Sequence, residues 1–251
     1  MRSGNPALKD STFLDLSSGT VVRDGADVMT LNGTVNKTGF LLLLSVMTAA
    51  FAWSQIEFNA QGAIGAGPYV WGGLIGGLVI ALVTVFKKHW APITAPLYAL
   101  VEGFFLGAIS AMYSHLYEGI VMQAVLLTFG TLFALLFVYR TGLIKVTDNF
   151  RMGVVAATGG IMLVYLASIG LSFFGIQIPL IHESGLVGIG FSLFVVVIAS
   201  MNLVLDFDFI ETGVEQGAPK YMEWYGAFGL MVTLVWLYIE FLRLLSKLQS
   251  R

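Results

Sequence analysis

Seven apolar stretches of about 20 residues fill most of the sequence, and a stretch of that length is enough for a helix to cross a bilayer. This pattern constrains the fold more than any other feature of the chain. The predicted helices lie at residues 38–57, 68–86, 93–114, 117–139, 152–174, 184–211 and 221–246. We therefore predict an all-α integral membrane fold, a single bundle of seven transmembrane helices.

The composition agrees with a membrane protein and excludes several kinds of function. The chain is 57% hydrophobic and 11% charged, whereas soluble domains are about 25% charged. Its net charge is −2 and it has no block rich in Lys or Arg, so we expect no nucleic-acid partner. It contains no cysteine, which excludes disulfides, thiolate metal sites and thiol catalysis.

The chain divides into a short polar segment and one membrane domain. Residues 1–36 are rich in Gly, Ser, Thr and Asp and hold no long apolar run. We predict that they form a mobile cytoplasmic tail. Residues 37–251 form the predicted seven-helix transmembrane domain.

The distribution of Lys and Arg predicts the orientation of the bundle. Ten of the 13 lie before helix one or in the connections after helices two, four and six. The connections on the other side hold none: 58–67, 115–117 and 175–183. Because cytoplasmic loops are enriched in Lys and Arg, the N-terminus is predicted to be cytoplasmic. Arg243, Lys247 and Arg251 lie at the end of the chain and leave the side of the C-terminus open.

Three acidic residues interrupt the apolar helices. Glu102 lies near the middle of helix three, Asp206 in the last two turns of helix six, and Glu240 in the second half of helix seven. A charged group near the bilayer centre costs at least about 2.5 kcal/mol, so such residues are candidates for function. Helical spacing places Asn202 on the face of Asp206 and Arg243 on the face of Glu240.

Each of these acids also has a purely structural explanation. Glu102 is compatible with a protonated carboxyl bonded to a neighbouring helix. Glu240 is compatible with an ion pair to Arg243 one turn later, and Asp206 with an ordinary acid at a helix end. Asp208, two residues further on, points to another face and toward the cytoplasmic headgroups.

The segments around these acids resemble a known family. "LDFDFIE", which closes helix six, and "LVWLYIEFLRLLSKL" in helix seven resemble the two signature segments of the Bax inhibitor-1 family, the transmembrane Bax-inhibitor-motif proteins. "LVEGFFLGAIS" and "NGTVNKTGFLLLL" resemble its bacterial branch, which favours a bacterial plasma membrane. The resemblance implies a fold whose last helix is surrounded by the other six. It also implies a pH-sensitive calcium leak gated by two carboxylates.

The resemblance also implies roles for individual residues. The first gate acid corresponds to Asp206, with Asp208 as the less favoured register. The second corresponds to Glu240, where the family more commonly has Asp. A basic latch at the end of helix two corresponds to Lys87 or Lys88.

The physical chemistry of a carboxyl pair supports such a gate. Two carboxyl groups in a low-dielectric site resist double ionisation and share one proton. Loss of that proton leaves a repulsion that Ca²⁺ would offset, so Asp206 and Glu240 are the predicted calcium contacts. Asp208 and Glu211 would draw cations to the cytoplasmic mouth. The expected partners are the lipid bilayer, Ca²⁺ and protons, and no further cofactor is expected.

The predicted depths of the two gate acids differ. If helix seven begins near Tyr221, Glu240 is about 28 Å from its cytoplasmic end. If helix six ends near Glu211, Asp206 is about 8 Å from that end. A direct pair then requires helix six to continue further or helix seven to begin later. Glu102, at an intermediate depth, is the substitute partner for either acid.

Other functional classes fit the sequence to different degrees. The chain lacks the Gly-x-Gly-Asp and Tyr-Asp motifs of intramembrane aspartyl proteases and the Gly-x-Ser-Gly of rhomboids. Its three histidines are predicted on both sides of the membrane and do not converge on a metal, so we predict no enzyme. A proton-coupled cation exchanger would use the same acids as a relay. A non-conducting regulator that binds other membrane proteins is the third possibility.

Overall fold

Seven helices long and apolar enough to cross a membrane dominate the structure, a computed structural model that describes residues 28–59, 62–172, 174–175 and 185–250. They are α1 (Leu31–Ser54), α2 (Ala66–Phe86), α3 (Ala91–Leu116), α4 (Ile120–Arg140), α5 (Asp148–Ser172), α6 (Leu186–Glu215) and α7 (Met222–Gln249). Between α1 and α2 lies an antiparallel hairpin of β1 (Glu57–Asn59) and β2 (Gly62–Ile64), and a 3₁₀ turn (Lys88–Trp90) joins α2 to α3. The predicted seven-helix membrane fold is confirmed.

Two contacts between helix ends show which ends lie on the same side of the bundle. The start of α1 meets the start of α7, where the backbone N–H of Met29 donates to the carbonyl oxygen of Ala218 at 2.7 Å. At the opposite end, the side chain of Gln249 on α7 donates to Gln123 on α4 at 3.3 Å. We call the first of these the N-terminal end of the bundle and the second the distal end.

Helix α1 begins at Leu31, well before the predicted start, so the predicted tail to residue 36 is too long. Thr30 caps this helix, because its hydroxyl oxygen accepts a hydrogen bond from the N–H of Gly33 at 3.0 Å. The segment from Leu31 to Lys37, which was predicted as part of the polar tail, therefore forms the first two turns of α1. The rest of the predicted tail, residues 1–27, lies outside the described residues.

Helix α7 is at the centre of the bundle. It packs against α1, α3, α4 and α6. Of its membrane-spanning window, 67% is buried, more than in any other of the seven described helices. The central last helix that the resemblance implied is therefore present, with two differences: α2 packs mainly against α3, and α5 mainly against α6.

Glycines allow α3 to approach both α1 and α2 closely. A Cβ atom on Gly107 of α3 would lie 2.7 Å from the Cα of Ala49 on α1. A Cβ atom on Gly73 of α2 would lie 2.8 Å from the backbone nitrogen of Phe105 on α3. Because both obstacles are backbone atoms, only a residue without a side chain fits at either position.

Gly107→Ala is expected to lower the free energy of unfolding by about 1–3 kcal/mol, the usual range for an overpacked site. Gly72→Ala is the control, because a Cβ atom there meets nothing within 4 Å. Both variants gain the same helix propensity, so the difference between them isolates the clash with α1. Unfolding by SDS in mixed micelles, followed by circular dichroism, measures both. Equal stabilities would mean that α1 and α3 do not pack this closely.

Candidate functional site

Asp206 lies at the interface of α6 and α7 with no exposed surface. It precedes the end of α6 at Glu215 by nine residues, about 14 Å along the helix. The hydroxyl of Thr233 on α7 donates to Asp206 Oδ2 at 2.6 Å. The same hydroxyl lies 3.3 Å from the carbonyl oxygen of Gly229 in its own helix. Thr233 thus has an acceptor on each side of the interface and can exchange one for the other.

Asn202, which was predicted on the face of Asp206, is buried as well. Its side-chain amide donates to Thr158 Oγ1 of α5 at 2.8 Å and to the carbonyl oxygen of Ile198 at 2.9 Å. This face of α6 therefore makes polar contacts with two neighbouring helices, α5 and α7. Asn202 joins it to α5, and Asp206 joins it to α7.

Glu240 belongs to a group of polar side chains in the distal half of the bundle, which we call the distal cluster: Tyr165, Glu240 and Arg243. Glu240 is 1% exposed, and Arg243 Nη1 donates to its two carboxylate oxygens at 2.9 and 3.1 Å. The hydroxyl of Tyr165 on α5 donates to Glu240 Oε1 at 2.9 Å. Arg243 also donates to the Tyr165 hydroxyl oxygen at 2.5 Å. The ion pair that the sequence left as an alternative is therefore formed, with Tyr165 as an additional partner.

The two predicted gate acids are not hydrogen-bonded to each other, so the predicted direct pair is wrong for this conformation. Asp206 bonds to Thr233. Glu240 lies seven residues after Thr233 and takes its hydrogen bonds within the distal cluster. Seven residues rise about 10 Å along a helix, beyond the reach of a hydrogen bond between the two carboxyl groups. Helix α6 does continue four residues past its predicted end, but this adds only about 6 Å.

Glu102 is hydrogen-bonded to neither gate acid, so the substitute pairing is not formed. It is 9% exposed and faces α2, where a Cβ atom on Gly77 would come within 2.5 Å of its Oε2 atom. It lies eleven residues after Ala91, about 16 Å from the start of α3. Glu102 is thus a buried acid at the interface of α2 and α3, at a depth similar to that of Asp206.

The predicted calcium contacts do not converge in this conformation. Within the described residues, no group of three or more His, Asp or Glu side chains is arranged to hold a metal ion. Asp206 and Glu240 each face a different hydrogen-bond donor, whereas Ca²⁺ takes about six to eight oxygen ligands. A cation contact shared by these acids would require a movement of α6 against α7.

A protein-family model matches almost the whole sequence. The family described as Bax inhibitor 1 like matches residues 5–250. The chain belongs to the Bax inhibitor 1-like family. The resemblance seen in four short segments therefore extends over almost the whole chain. No curated protein matches the sequence.

The acids predicted at the cation mouth of this Bax inhibitor 1-like protein both have partners at the N-terminal end. Asp208 forms an ion pair with Arg151 of α5, whose Nη2 donates to it at 2.6 Å. Glu211 accepts a hydrogen bond from the hydroxyl of Tyr139 on α4 at 2.5 Å. The two acids therefore brace α6 against α5 and α4. Asp208 does not simply face the headgroups, as the sequence suggested, because its side chain is only 22% exposed.

A basic residue does meet an acid of α6, but it comes from α5. Arg151, in the first turn of α5, is 9% exposed and pairs with Asp208. Lys87 caps the end of α2, and Lys88 lies in the 3₁₀ turn that follows. The latch role for either lysine stays a prediction; the basic residue that pairs with Asp208 in this structure is Arg151.

Sequence reasoning missed Glu223 in the first turn of α7, which has more bonding partners than any other acid among the described residues. Its side chain has no exposed surface and accepts hydrogen bonds from the backbone N–H and the hydroxyl of Thr30, at 2.9 and 2.8 Å. Lys220 Nζ lies 3.1 Å away, and Lys37 also forms an ion pair with it. Gly33 leaves room for the carboxylate, because a Cβ atom there would overlap it. The spacing of Lys220 and Glu223 was the available signal.

Lys247, which the sequence identified only as a positive charge near the end of the chain, lies inside the bundle. It is 5% exposed, and its Nζ donates to the carbonyl oxygen of Gly188 and to Ser192 Oγ of α6, both at 2.9 Å. Arg243 is likewise held by Glu240. Two of the positive charges near the end of the chain, Arg243 and Lys247, are therefore hydrogen-bonded inside the bundle. Helix α7 extends to the distal end.

Proposed function

We propose that this Bax inhibitor 1-like protein is a pH-sensitive cation leak, with Ca²⁺ as the permeant ion and Asp206 as the gating acid. The observation that carries the proposal is a fully buried carboxyl group, bonded to Thr233, between two helices and about 14 Å from the end of α6. Burial of a carboxylate is expensive unless it is compensated or protonated. Uptake or release of one proton at Asp206 therefore changes the stability of the α6–α7 interface.

In the proposed closed form Asp206 is neutral and accepts the hydrogen bond from Thr233. Proton loss places a negative charge at this depth, which a hydroxyl donor compensates less well than water or a cation does. Separation of α6 from α7 would admit both, while Thr233 transfers its hydrogen bond to Gly229. We therefore expect flux to increase from acidic to alkaline pH.

Glu240 has a separate role in this proposal. Its charge is compensated by Arg243, so the ion pair stabilises its buried position. We propose that Glu240 lies at the distal end of the ion path and that Asp206 gates this path. Glu240 does not share the proton of Asp206 in the closed form.

We propose that the N-terminal end of the bundle faces the cytoplasm of a bacterial cell. Ten of the 13 Lys and Arg of the chain precede α1 or lie at this end, and such residues are enriched on the cytoplasmic side. The contacts of Asp208 and Glu211 would then form the cytoplasmic mouth. The proposal includes no enzymatic step.

Calcium flux into liposomes that hold the purified protein tests the gate. The wild type is expected to conduct more at mildly alkaline than at mildly acidic pH. Asp206→Asn, which keeps the shape but cannot ionise, is expected to give the same flux at both. Thr233→Val is expected to change the pH at which flux rises. Thr128→Val is its control, because that hydroxyl donates to Ala124 in its own helix.

The other functional classes give different results in the same assay. An exchanger would stop altogether in Asp206→Asn and would move calcium only with a proton gradient. A non-conducting regulator would show no flux that depends on the protein at either pH. If Asp206→Asn retains the wild-type pH dependence, Asp206 is not the gate.

The exchanger is the second candidate function, and one observation favours it. Glu102 is a further buried acid at a depth similar to that of Asp206, on another interface of the bundle. A proton relay through the membrane uses more than one such group. Glu102→Gln is expected to stop an exchanger and to leave the pH dependence of a leak gated by Asp206 in place.

A further inference from the structure

A groove on the outside of the bundle, between α1 and α4, is separate from the gating acids. It consists of two adjoining cavities of 310 and 460 Å³ that meet at Leu42, Phe129 and Leu234. One wall belongs to α1 and the other to α4, and α7 forms the floor together with α3 in the smaller cavity and α6 in the larger one. The space is open because α1 packs against α3 and α7, whereas α4 packs against α6 and α7. We call it the α1–α4 groove.

The groove extends over the full depth of the membrane. Its lining on α1 runs from Leu31 to Trp53, about 33 Å along the helix, and the hydrocarbon core of a bilayer is about 30 Å thick. The larger cavity is near the N-terminal end and the smaller near the distal end, so each lies in one leaflet. Val35, Val46 and Phe133 on its rim are 58%, 61% and 63% exposed. The groove therefore opens sideways into lipid.

The charged groups of the groove lie at one end only. The smaller cavity has no charged lining residue, and the larger one has Arg140 and Glu211 at the N-terminal end, beside Tyr139. Glu211 already accepts a hydrogen bond from Tyr139. Arg140 is the exposed last residue of α4, at the level of the headgroups. A guanidinium group in this position is suited to a phosphate.

We infer that the α1–α4 groove binds an anionic phospholipid of the leaflet at the N-terminal end. One acyl chain lies in the larger cavity, and the phosphate group binds Arg140. The acyl chain would contact Leu230 and Leu234 of α7 and Phe207 of α6, which follows Asp206 directly. The bound lipid thus touches both helices of the interface that holds the gating acid.

Native mass spectrometry of the detergent-solubilised protein, titrated with dioleoyl phosphatidylglycerol or dioleoyl phosphatidylcholine, tests this inference. Gly39 lines the larger cavity, and a Cβ atom there meets nothing within 4 Å. Gly39→Phe fills the groove and is expected to weaken retention of phosphatidylglycerol by about tenfold. Arg140→Gln is expected to retain phosphatidylcholine and to lose about a fivefold preference for phosphatidylglycerol.

Two controls separate the groove from general effects of the substitutions. Gly159→Phe places the same ring at an open position on α5, which does not line the groove. Lys145→Gln removes an exposed positive charge from the loop after α4. Both variants are expected to bind phosphatidylglycerol as the wild type does.

Three results would overturn the inference. The first is wild-type lipid retention in Gly39→Phe, and the second is an unchanged headgroup preference in Arg140→Gln. The third is a dimer mass that Gly39→Phe abolishes, because the groove would then be occupied by a second copy of the chain. Since lipid binding is read from mass, the outcome does not depend on whether the protein conducts calcium.

Discussion

Glu223→Ala is expected to lower the free energy of unfolding by about 2–4 kcal/mol, somewhat less than for a fully buried ion pair, because Lys37 and Lys220 are 20% and 48% exposed. The substitution leaves Lys37 and Lys220 without their carboxylate, and the backbone N–H and hydroxyl of Thr30 without their acceptor. These contacts join the start of α1 to the start of α7. Unfolding by SDS in mixed micelles, followed by circular dichroism, measures the loss.

Two further variants make this result specific. Glu57→Ala removes an exposed carboxylate from the β1–β2 hairpin, and its effect is expected to stay within about 0.5 kcal/mol. Glu223→Gln keeps an acceptor for Thr30 but not the charge, so an intermediate loss is expected. If Glu223→Ala is as stable as Glu57→Ala, the buried carboxylate does not anchor α1 to α7.

The apolar stretches predicted all seven helices, because burial in lipid depends mainly on the length and hydrophobicity of a segment. The helix ends were less predictable where polar contacts between distant residues decide them. Helix α1 begins at Leu31 because Thr30 caps it and bonds to Glu223, 193 residues later in the chain. Helix α6 continues past Glu211, where Tyr139 on a neighbouring helix holds that acid.

The candidate acids were visible in the sequence, but their partners were not. Asp206 and Glu240 stand out because charge is costly in an apolar helix. Which donors they meet depends on the rotation and axial shift of the packed helices, which place Thr233 and not Glu240 against Asp206. Glu223 was overlooked because an acid three residues after Lys220 at a helix start is typical of an exposed helix end.

Buried carboxyl groups belong to α7 or bond to it at three levels along the helix. Glu223 at the N-terminal end and Glu240 in the distal half are both ion-paired with Lys or Arg. Between them, Thr233 is a neutral hydroxyl bonded to the carboxyl group of Asp206. The outer two levels are suited to hold the helices together, and the middle level is where we propose that a proton acts. This arrangement favours a gate near the centre of α7 with fixed contacts at both ends.

Arg243→Met is expected to lower the free energy of unfolding by about 3–5 kcal/mol, because Glu240 would keep a buried charge without its cation. Only the hydroxyl of Tyr165 would remain from the distal cluster as a donor. Adding Glu240→Gln is expected to recover most of this loss, since a neutral amide still accepts from Tyr165 and needs no cation. The two single variants and the double variant form a cycle that yields the coupling energy of the pair.

Lys145→Met, which removes an exposed charge from a loop, is the control for the loss of a cation. It is expected to leave the free energy of unfolding nearly unchanged. The cycle is measured by the same unfolding in mixed micelles. Strong coupling would establish that Glu240 and Arg243 act as one unit in the distal half of α7. If the losses of the two single variants simply add, the two residues are not coupled and the pair does not anchor α7.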